Sequence, residues 1–439
     1  MHVTPVENTK ILFGRKQMKN ASNRTKYFLA VISLGFVYGS MFNLAYMKYI
    51  FYDAMIEAMQ CTNTQLGLLI TVYTLVSCIG LLPGGWIADR YKTKGIIVVS
   101  AYLQAAVSIF FAFTMRSYVC AMITWIISGI ASVTAFFAAI LKAVSMVGGE
   151  DEQGRTFGYY EAFCGLSATI TNAVALWAFS RLDNSVTALK TAVIVMGIMS
   201  FIGGLLVQLF FDEKITEVHY SAAVKKKVDI KGTFAVFKLP KFYLSCVIIF
   251  CCYGFYTCQS FITPYMTNVL GATVTFAGFL AILKSYGLKL IGAPIGGVLA
   301  DKMKSVSKFE ILAFGAMFLI TLYISLVKGG SELVPIFTVL TLVLATVCFM
   351  ARGVMWASVD EAKVPKEISG TAMAVASIVG FDLPDICLPT IIGNWLDKYG
   401  NAAYGRVFTL LCGMCVAGVL ASLAMVVLNK KEAKAARSA

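Results

Sequence analysis

The sequence predicts an all-α membrane protein of twelve transmembrane helices in two pseudo-symmetric six-helix bundles, and three observations predict it. Hydrophobic residues make up 59% of the 439 and charged residues only 14%, against about 25% charged in an ordinary soluble domain. Apolar stretches of about 20 residues recur along the whole chain, the length that crosses a ~30 Å hydrocarbon layer at 1.5 Å per residue. The segment Gly84-Gly85-Trp86-Ile87-Ala88-Asp89-Arg90-Tyr91-Lys92 returns 212 positions later as Gly296-Gly297-Val298-Leu299-Ala300-Asp301-Lys302-Met303-Lys304. A recurrence at nearly half the chain length, closing matching apolar stretches, is the mark of two tandem membrane bundles. That architecture implies solute transport.

The elements follow in order. Residues 1–27 are polar and rich in Lys and Arg. No small-residue cleavage site stands behind the first apolar stretch, so no removable signal peptide is expected. The first bundle, 28–211, holds spans at 28–50, 65–88, 95–115, 118–142, 156–179 and 187–211. The loop from Gly148 to Arg155 between its fourth and fifth spans is charged, and its glycines end helices rather than cradle phosphate. The longest polar interval, 212–241, contains Lys225-Lys226-Lys227 and is the expected linker between halves. The second bundle, 242–428, holds spans at 242–267, 275–300, 308–328, 334–358, 368–392 and 403–428, and a tail of 429–439 follows. The 212-residue offset also carries Gly158 onto Gly370, so the repeat relates whole halves.

A net charge of +14 would suit nucleic acid if it were clustered on a soluble domain. Here most of the 37 Lys and Arg fall in the loops on the amino-terminal side of the membrane. That is the positive-inside asymmetry, with both termini cytoplasmic and no nucleic-acid role. Of 12 Cys, only Cys61 falls in an outer loop, so no disulfide framework is expected. Cys251-Cys252 and Cys412 with Cys415 have no His beside them, so neither a metal site nor any other cofactor is predicted. No nucleophile–base constellation for an enzyme is visible, and no ring of like residues for a channel. Outer loops are short and lack an N-x-Ser/Thr acceptor, as in a bacterial cytoplasmic (inner) membrane protein.

The signature G-x-x-x-D-R/K-x-x-R/K between helices two and three identifies the chain as similar to the major facilitator superfamily. Gly85, Asp89, Arg90, Lys92 and Lys94 supply its residues, and Gly297, Asp301, Lys302 and Lys304 supply the second-half copy. Tyr91-Lys92 stands where that family often has a small residue. The resemblance implies that this cluster closes one state of a rocking cycle at the cytoplasmic face. Glycines at helix ends allow close helix approach, and an acid at a helix terminus can face a helix dipole. Gly85, Asp89, Arg90, Gly297, Asp301 and Lys302 are therefore candidate gating residues.

Charge at the bilayer centre costs about 2.5–3.5 kcal/mol on insertion scales, so intramembrane ionisable residues are candidate functional sites. They are Lys48, Lys142, Lys284, Lys289, Arg352, Glu161, Asp382 and Asp385. Lys284 lies roughly 14 Å below the outer end of its span and Lys289 roughly 17 Å above the inner end. Asp382 and Asp385 share a helix face, and Pro384 and Pro389 free backbone carbonyls beside them. In the superfamily it resembles, the eighth and eleventh helices border the central cavity, which implies Lys284 near Asp382 or Asp385. Asp382, Asp385 and Glu161 are candidate proton-coupling groups. Arg352 is expected to pair with Glu161 or with Asp360-Glu361 at the inner gate, and Lys142 to snorkel.

The run Tyr46-Met47-Lys48-Tyr49-Ile50-Phe51-Tyr52-Asp53-Ala54-Met55 looks like the first helix of the organophosphate and organic-anion branch, where a basic residue shortly before an Ala-Met pair binds the substrate's anionic group. The branch's second basic residue, in helix seven, has no counterpart here. Cys251 to Thr263 offers Tyr253, Tyr256, Cys258, Gln259 and Ser260. Lys in place of Arg also disfavours bidentate recognition. The candidate substrate ligands are Lys48, Lys284, Lys289, Tyr253, Tyr256, Gln259, Asn43 and Tyr159. The expected partners are a small anionic solute (a carboxylate, sugar acid or sugar phosphate), protons and the lipid bilayer, with a monomer sufficient for the cycle. Proton-coupled symport, proton-independent anion exchange and export of apolar compounds all remain open. Deep lysines disfavour a cationic cargo.

Overall fold

The computed structural model describes residues 21–147, 153–212, 239–327, 330–364 and 369–438, and among them every regular element is helical. In the first half α1 (Ala21–Met41) and α2 (Lys48–Met59) form one pass broken by a turn over 42–47. Then come α3 (Asn63–Arg90), α4 (Thr93–Thr114), α5 (Tyr118–Gly129) and α6 (Phe136–Val147) joined by a π-helical turn, α7 (Gln153–Phe179) and α8 (Ser185–Phe210). In the second half α9 (Pro240–Cys258) and α10 (Ile262–Asn268) flank a 3₁₀ turn, and α11 (Val274–Ile282) and α12 (Lys289–Met303) flank a π turn. They are followed by α13 (Val306–Leu326), α14 (Val334–Val354) and the short α15 (Ala357–Glu361). Last are α16 (Ser369–Ser377) and α17 (Leu383–Tyr399), again around a π turn, and α18 (Ala403–Ser438). Most of the expected linker 212–241 lies outside the described residues, as do 1–20 and the side chain of Asp89.

Nine stretches among the described residues are long and apolar enough to cross a hydrocarbon layer, and the α11–α12 pair, bent by 40°, makes ten. The stretch Val375–Ala435 is 61 residues long. It contains Gly400 at φ 53°, a left-handed conformation that ends α17, so it holds two passes. The broken pass of α1 and α2, in pieces of 21 and 12 residues, completes twelve.

Local chemistry sets the helix starts. Thr62 and Gln65 form a capping box at α3, and Asn184, Thr273 and Ser305 cap α8, α11 and α13. Within each half, the close approach predicted for the glycine motif is made by Gly84 and Gly296 rather than Gly85 and Gly297. A Cβ on Gly84 would overlap the Thr134 carbonyl oxygen at 1.7 Å, and one on Gly296 would meet that of Met350 at 2.1 Å. Nothing lies within 4 Å of a Cβ on Gly85 or Gly297.

The halves meet tightly at one end. Asp397 of α17 accepts from the backbone N–H groups of Asn63 and Thr64 at 2.8 Å each, and from their side chains at 2.8 and 2.5 Å. A carboxylate of the second half therefore caps a helix of the first, at the positive end of its dipole. Asp53 accepts from Thr267 at 2.5 Å and Asn268 at 2.9 Å. Beneath them α3 and α17 touch backbone to backbone. A Cβ on Gly67 would lie 2.5 Å from the Pro389 carbonyl oxygen, and one on Gly393 2.3 Å from that of Asn63. Toward the opposite end, Arg90, Asp301 and Lys302 are exposed and join no ion pair among the described residues. Arg90 stacks on Trp86 at 5.2 Å instead. The chain is thus closed at the Asp397 end, and among the described residues no ion pair of Arg90, Asp301 or Lys302 joins the halves at the other.

Gly393→Val should wedge α3 from α17. Cys61, 7% exposed at the closed end, should then react with a polar maleimide at least about tenfold faster than in the wild type, since each ~1.4 kcal/mol of lost closure is a factor of ten. Peptide mass spectrometry reads the rate. An unchanged rate would show that this contact does not hold the end shut.

Candidate functional site

Helix breaks expose backbone groups at membrane depth, which is tolerated where they line a cavity between helices. The breaks in α1–α2 and α9–α10 occupy places related by the 212-residue offset: the first turn ends at Met47, and the second begins at Gln259. Lys48 opens α2 immediately beyond its break. Its Nζ lies 5.8 Å from the ring centre of Tyr49 and 5.2 Å from that of Phe261, two residues that are themselves offset by 212. Lys48 is 1% exposed, and its ammonium has no hydrogen-bond partner.

Asp385 sits across the interface in α17, also 1% exposed. Three hydroxyls donate to it: Thr257 at 2.7 Å, Tyr253 at 2.9 Å and Tyr46 at 3.2 Å. Tyr46 belongs to the first half and the other two to the second, so this carboxylate joins the bundles at their centre. Lys48 and Asp385 interact electrostatically. Tyr46 stands two residues before Lys48 in a segment the sequence singles out, yet its role there depends on a contact 339 residues away in the chain, which periodicity does not reveal.

Lys284 lies within the π turn Leu283–Gly287. Its buried ammonium donates to the Gln259 carbonyl at 2.6 Å and to the Thr263 hydroxyl at 3.3 Å. The expected pairing of Lys284 with Asp382 or Asp385 is therefore not made. The π turn inserts a residue and rotates the side chain toward α9–α10. Asp382 also occupies a π turn and is half-buried near Cys78 of α3. Gln259 is buried, its carbonyl taken by Lys284 and its Nε2 without a partner.

Arg352 departs furthest from its expected partners. Its guanidinium lies 3.8 Å from the ring centre of Tyr256, 5.2 Å from Tyr253 and 5.5 Å from Phe349, a cation–π geometry. Glu161 pairs instead with Lys289 at 3.2 Å, and both side chains are about half exposed, so Lys289 is not the deep buried charge its position predicts. Glu361 accepts from Ser305 at 2.6 Å and from the backbone and hydroxyl of Ser307 at 2.7 Å, securing the start of α13. Lys142 donates to the Ala88 carbonyl at 3.1 Å, near the end of α3.

Two predicted ligands lie away from this centre. Asn43 is consumed inside the first half, donating to Gly39 and accepting from Asn172 at 2.7 Å. Tyr159 is exposed and packs on Phe28 at 5.5 Å. A groove of about 600 Å³ between α7 and α11, lined by Leu176, Trp177, Phe276 and Phe279, is apolar and holds none of the predicted ligands. The arrangement as a whole offers buried donors to an acceptor-rich guest, with one carboxylate beside them able to exchange a proton.

A family model described as Major Facilitator Superfamily matches residues 27–384. Inner membrane protein YqcE of Escherichia coli is 28% identical over 408 residues, covering 92% of this chain and 94% of that protein. The probable sulfoacetate transporter SauU of Cupriavidus necator is 22% identical over 84% of this chain and 86% of its own length. Among solved structures, a D-xylose–proton symporter superposes with a TM-score of 0.70 at 15% identity, over 91% of this chain and 97% of that one.

Lys284 carries a buried charge held by neutral partners, a costly arrangement that packing alone does not require. Lys284→Met, similar in volume, removes the cost of burying the ammonium but leaves the Gln259 carbonyl without its donor, so the purified protein should stay folded with little change in unfolding temperature while solute uptake is abolished. Uptake at the wild-type rate would remove Lys284 from the working site.

Proposed function

Since this chain belongs to the major facilitator superfamily and is a multi-pass membrane transporter rather than an enzyme, we propose that its cargo is a small organic anion, taken up together with protons by alternating access. The observation that carries the anion reading is Lys48, a fully buried ammonium between the two halves with no acceptor of its own. An unpaired buried charge is costly, and an anionic guest supplies what it lacks. The sulfoacetate named for one relative belongs to the same chemical class.

The cycle runs between two arrangements of residues 28–211 and 242–428. The exposed Arg90 and Lys302 mark the cytoplasmic side by the positive-inside rule, which puts both termini inside and the Asp397 closure on the outer side. The relative named as an inner membrane protein supports a bacterial inner-membrane location. A monomer suffices, because both bundles are in one chain.

Coupling rests on Asp385. It accepts Tyr46 from one half and Tyr253 and Thr257 from the other, while sharing its electrostatic environment with Lys48. An anion arriving at Lys48 places a second negative charge beside this carboxylate, which favours its protonated form. Solute and proton then occupy the centre together. Asp382, three residues earlier, and Glu161, paired with Lys289, are the further carboxylates that can carry the proton.

A thermal-stability screen of the purified protein against carboxylates, sugar acids and phosphorylated sugars should find anions that raise the unfolding temperature. Those anions should enter proteoliposomes faster under an inward pH gradient, and Lys48→Gln should lose both responses. Stabilisation by neutral sugars or organic cations, with none by anions, would overturn the reading.

A further inference from the structure

We propose that Arg352 forms a second anion-binding pole opposite Lys48, so that the cargo is a dianion carrying two separate anionic groups on a short frame. This inference rests on the organic-anion reading above and narrows it. The three ion pairs among the described residues leave Arg352 out; of the acids expected to hold it, Glu161 and Glu361 are engaged elsewhere, and Asp360 is in none of those pairs.

Rings cover the guanidinium on its face, with Tyr256 at 3.8 Å. Stacking of that kind leaves the N–H edge for an acceptor, and the planar fork of an Arg fits an oxyanion in bidentate fashion. Its Nε is buried without a hydrogen-bond partner, as is Nε2 of Gln259. A buried orphan donor is costly until an acceptor arrives. Asp385, the nearby acceptor, already receives three hydroxyls.

The two poles stand at the ends of one aromatic pair. Lys48 lies against Tyr49, Tyr49 meets Tyr256 at 6.1 Å between ring centres, and Arg352 lies on Tyr256. A monoanion can satisfy one pole, whereas a dianion spanning the pair satisfies both.

The test compares matched pairs that differ by one charge on the same frame: succinate with succinamate, glutarate with glutaramate, and sulfoacetate with sulfoacetamide. Binding to the purified wild type and to Arg352→Gln and Arg352→Lys is measured by calorimetry at constant pH. For at least one pair the wild type should prefer the dianion by about tenfold or more, the worth of one charged hydrogen-bonded contact. Arg352→Gln should collapse that preference to within about threefold by weakening the dianion more than the monoamide, and Arg352→Lys should fall between. A preference that survives in Arg352→Gln, or a wild type that binds each monoamide as tightly as its dianion, would overturn the second pole and leave the anion reading standing. Loss of affinity for both members alike in Arg352→Gln also overturns it, as damage to the site as a whole. Failure of every anion to bind the wild type would instead bring down the anion reading and this inference with it.

Discussion

Asp385 accepts three hydroxyl hydrogen bonds in the buried middle of the molecule, and the arrangement of the centre follows from that carboxylate. An ionised acid there is tolerated only while its oxygens are satisfied. Tyr46 must therefore reach across from α1–α2, and Tyr253 and Thr257 must face α17. Those directions fix two of the rings that surround the cations: Tyr46 packs edge-on against Tyr49 at 5.6 Å, and Tyr253 stacks on Phe381 at 3.7 Å. Because donors from both halves converge on one group, its protonation state bears on the contact between the halves, the link that the proposed proton coupling needs.

The duplication supplies the frame and the departures from it supply the chemistry. Breaks at related positions bring Tyr49 and Phe261 to either side of Lys48, but the offset partner of Lys48 itself is Ser260, which only bonds back to the Thr257 carbonyl. One cation in a two-fold frame makes a directional site. The closed end shows the same logic, since Asp397 caps α3 across the interface with no offset counterpart, 185 being Ser. Closure there depends on hydrogen bonds and on Gly67 and Gly393 letting backbones touch. Contacts of that kind can form and break in each cycle without disturbing either bundle.

The fold was legible because hydrocarbon thickness imposes a span length and the repeat imposes a plan. Chain pattern marked Lys48, Asp385, Tyr253, Tyr256 and Gln259 as site residues, and the structure brings them together. It erred where local geometry departs from a uniform helix. Lys284 and Asp382 each sit in a π turn, where an extra residue rotates the side chains, so the neighbourhood of helices eight and eleven that the resemblance implies does not become a contact between them. Arg352 was assigned to a gate by depth alone, and the rings that hold it come from α9 as well as from its own helix. Gly85 and Gly84 are adjacent in the motif, and only the packed structure distinguishes the glycine in contact from the one in open space.

The central claim is that one carboxylate, Asp385, links proton and solute. Proteoliposomes containing Asp385→Asn, which keeps the size of the side chain and, like the protonated acid, offers one accepting oxygen and one donating edge while fixing the charge at zero, test it directly. The account predicts that the variant exchanges labelled anion for unlabelled anion at close to the wild-type rate, yet fails to accumulate anion against its gradient when the lumen is made alkaline. Accumulation equal to that of the wild type under the same pH gradient would contradict it.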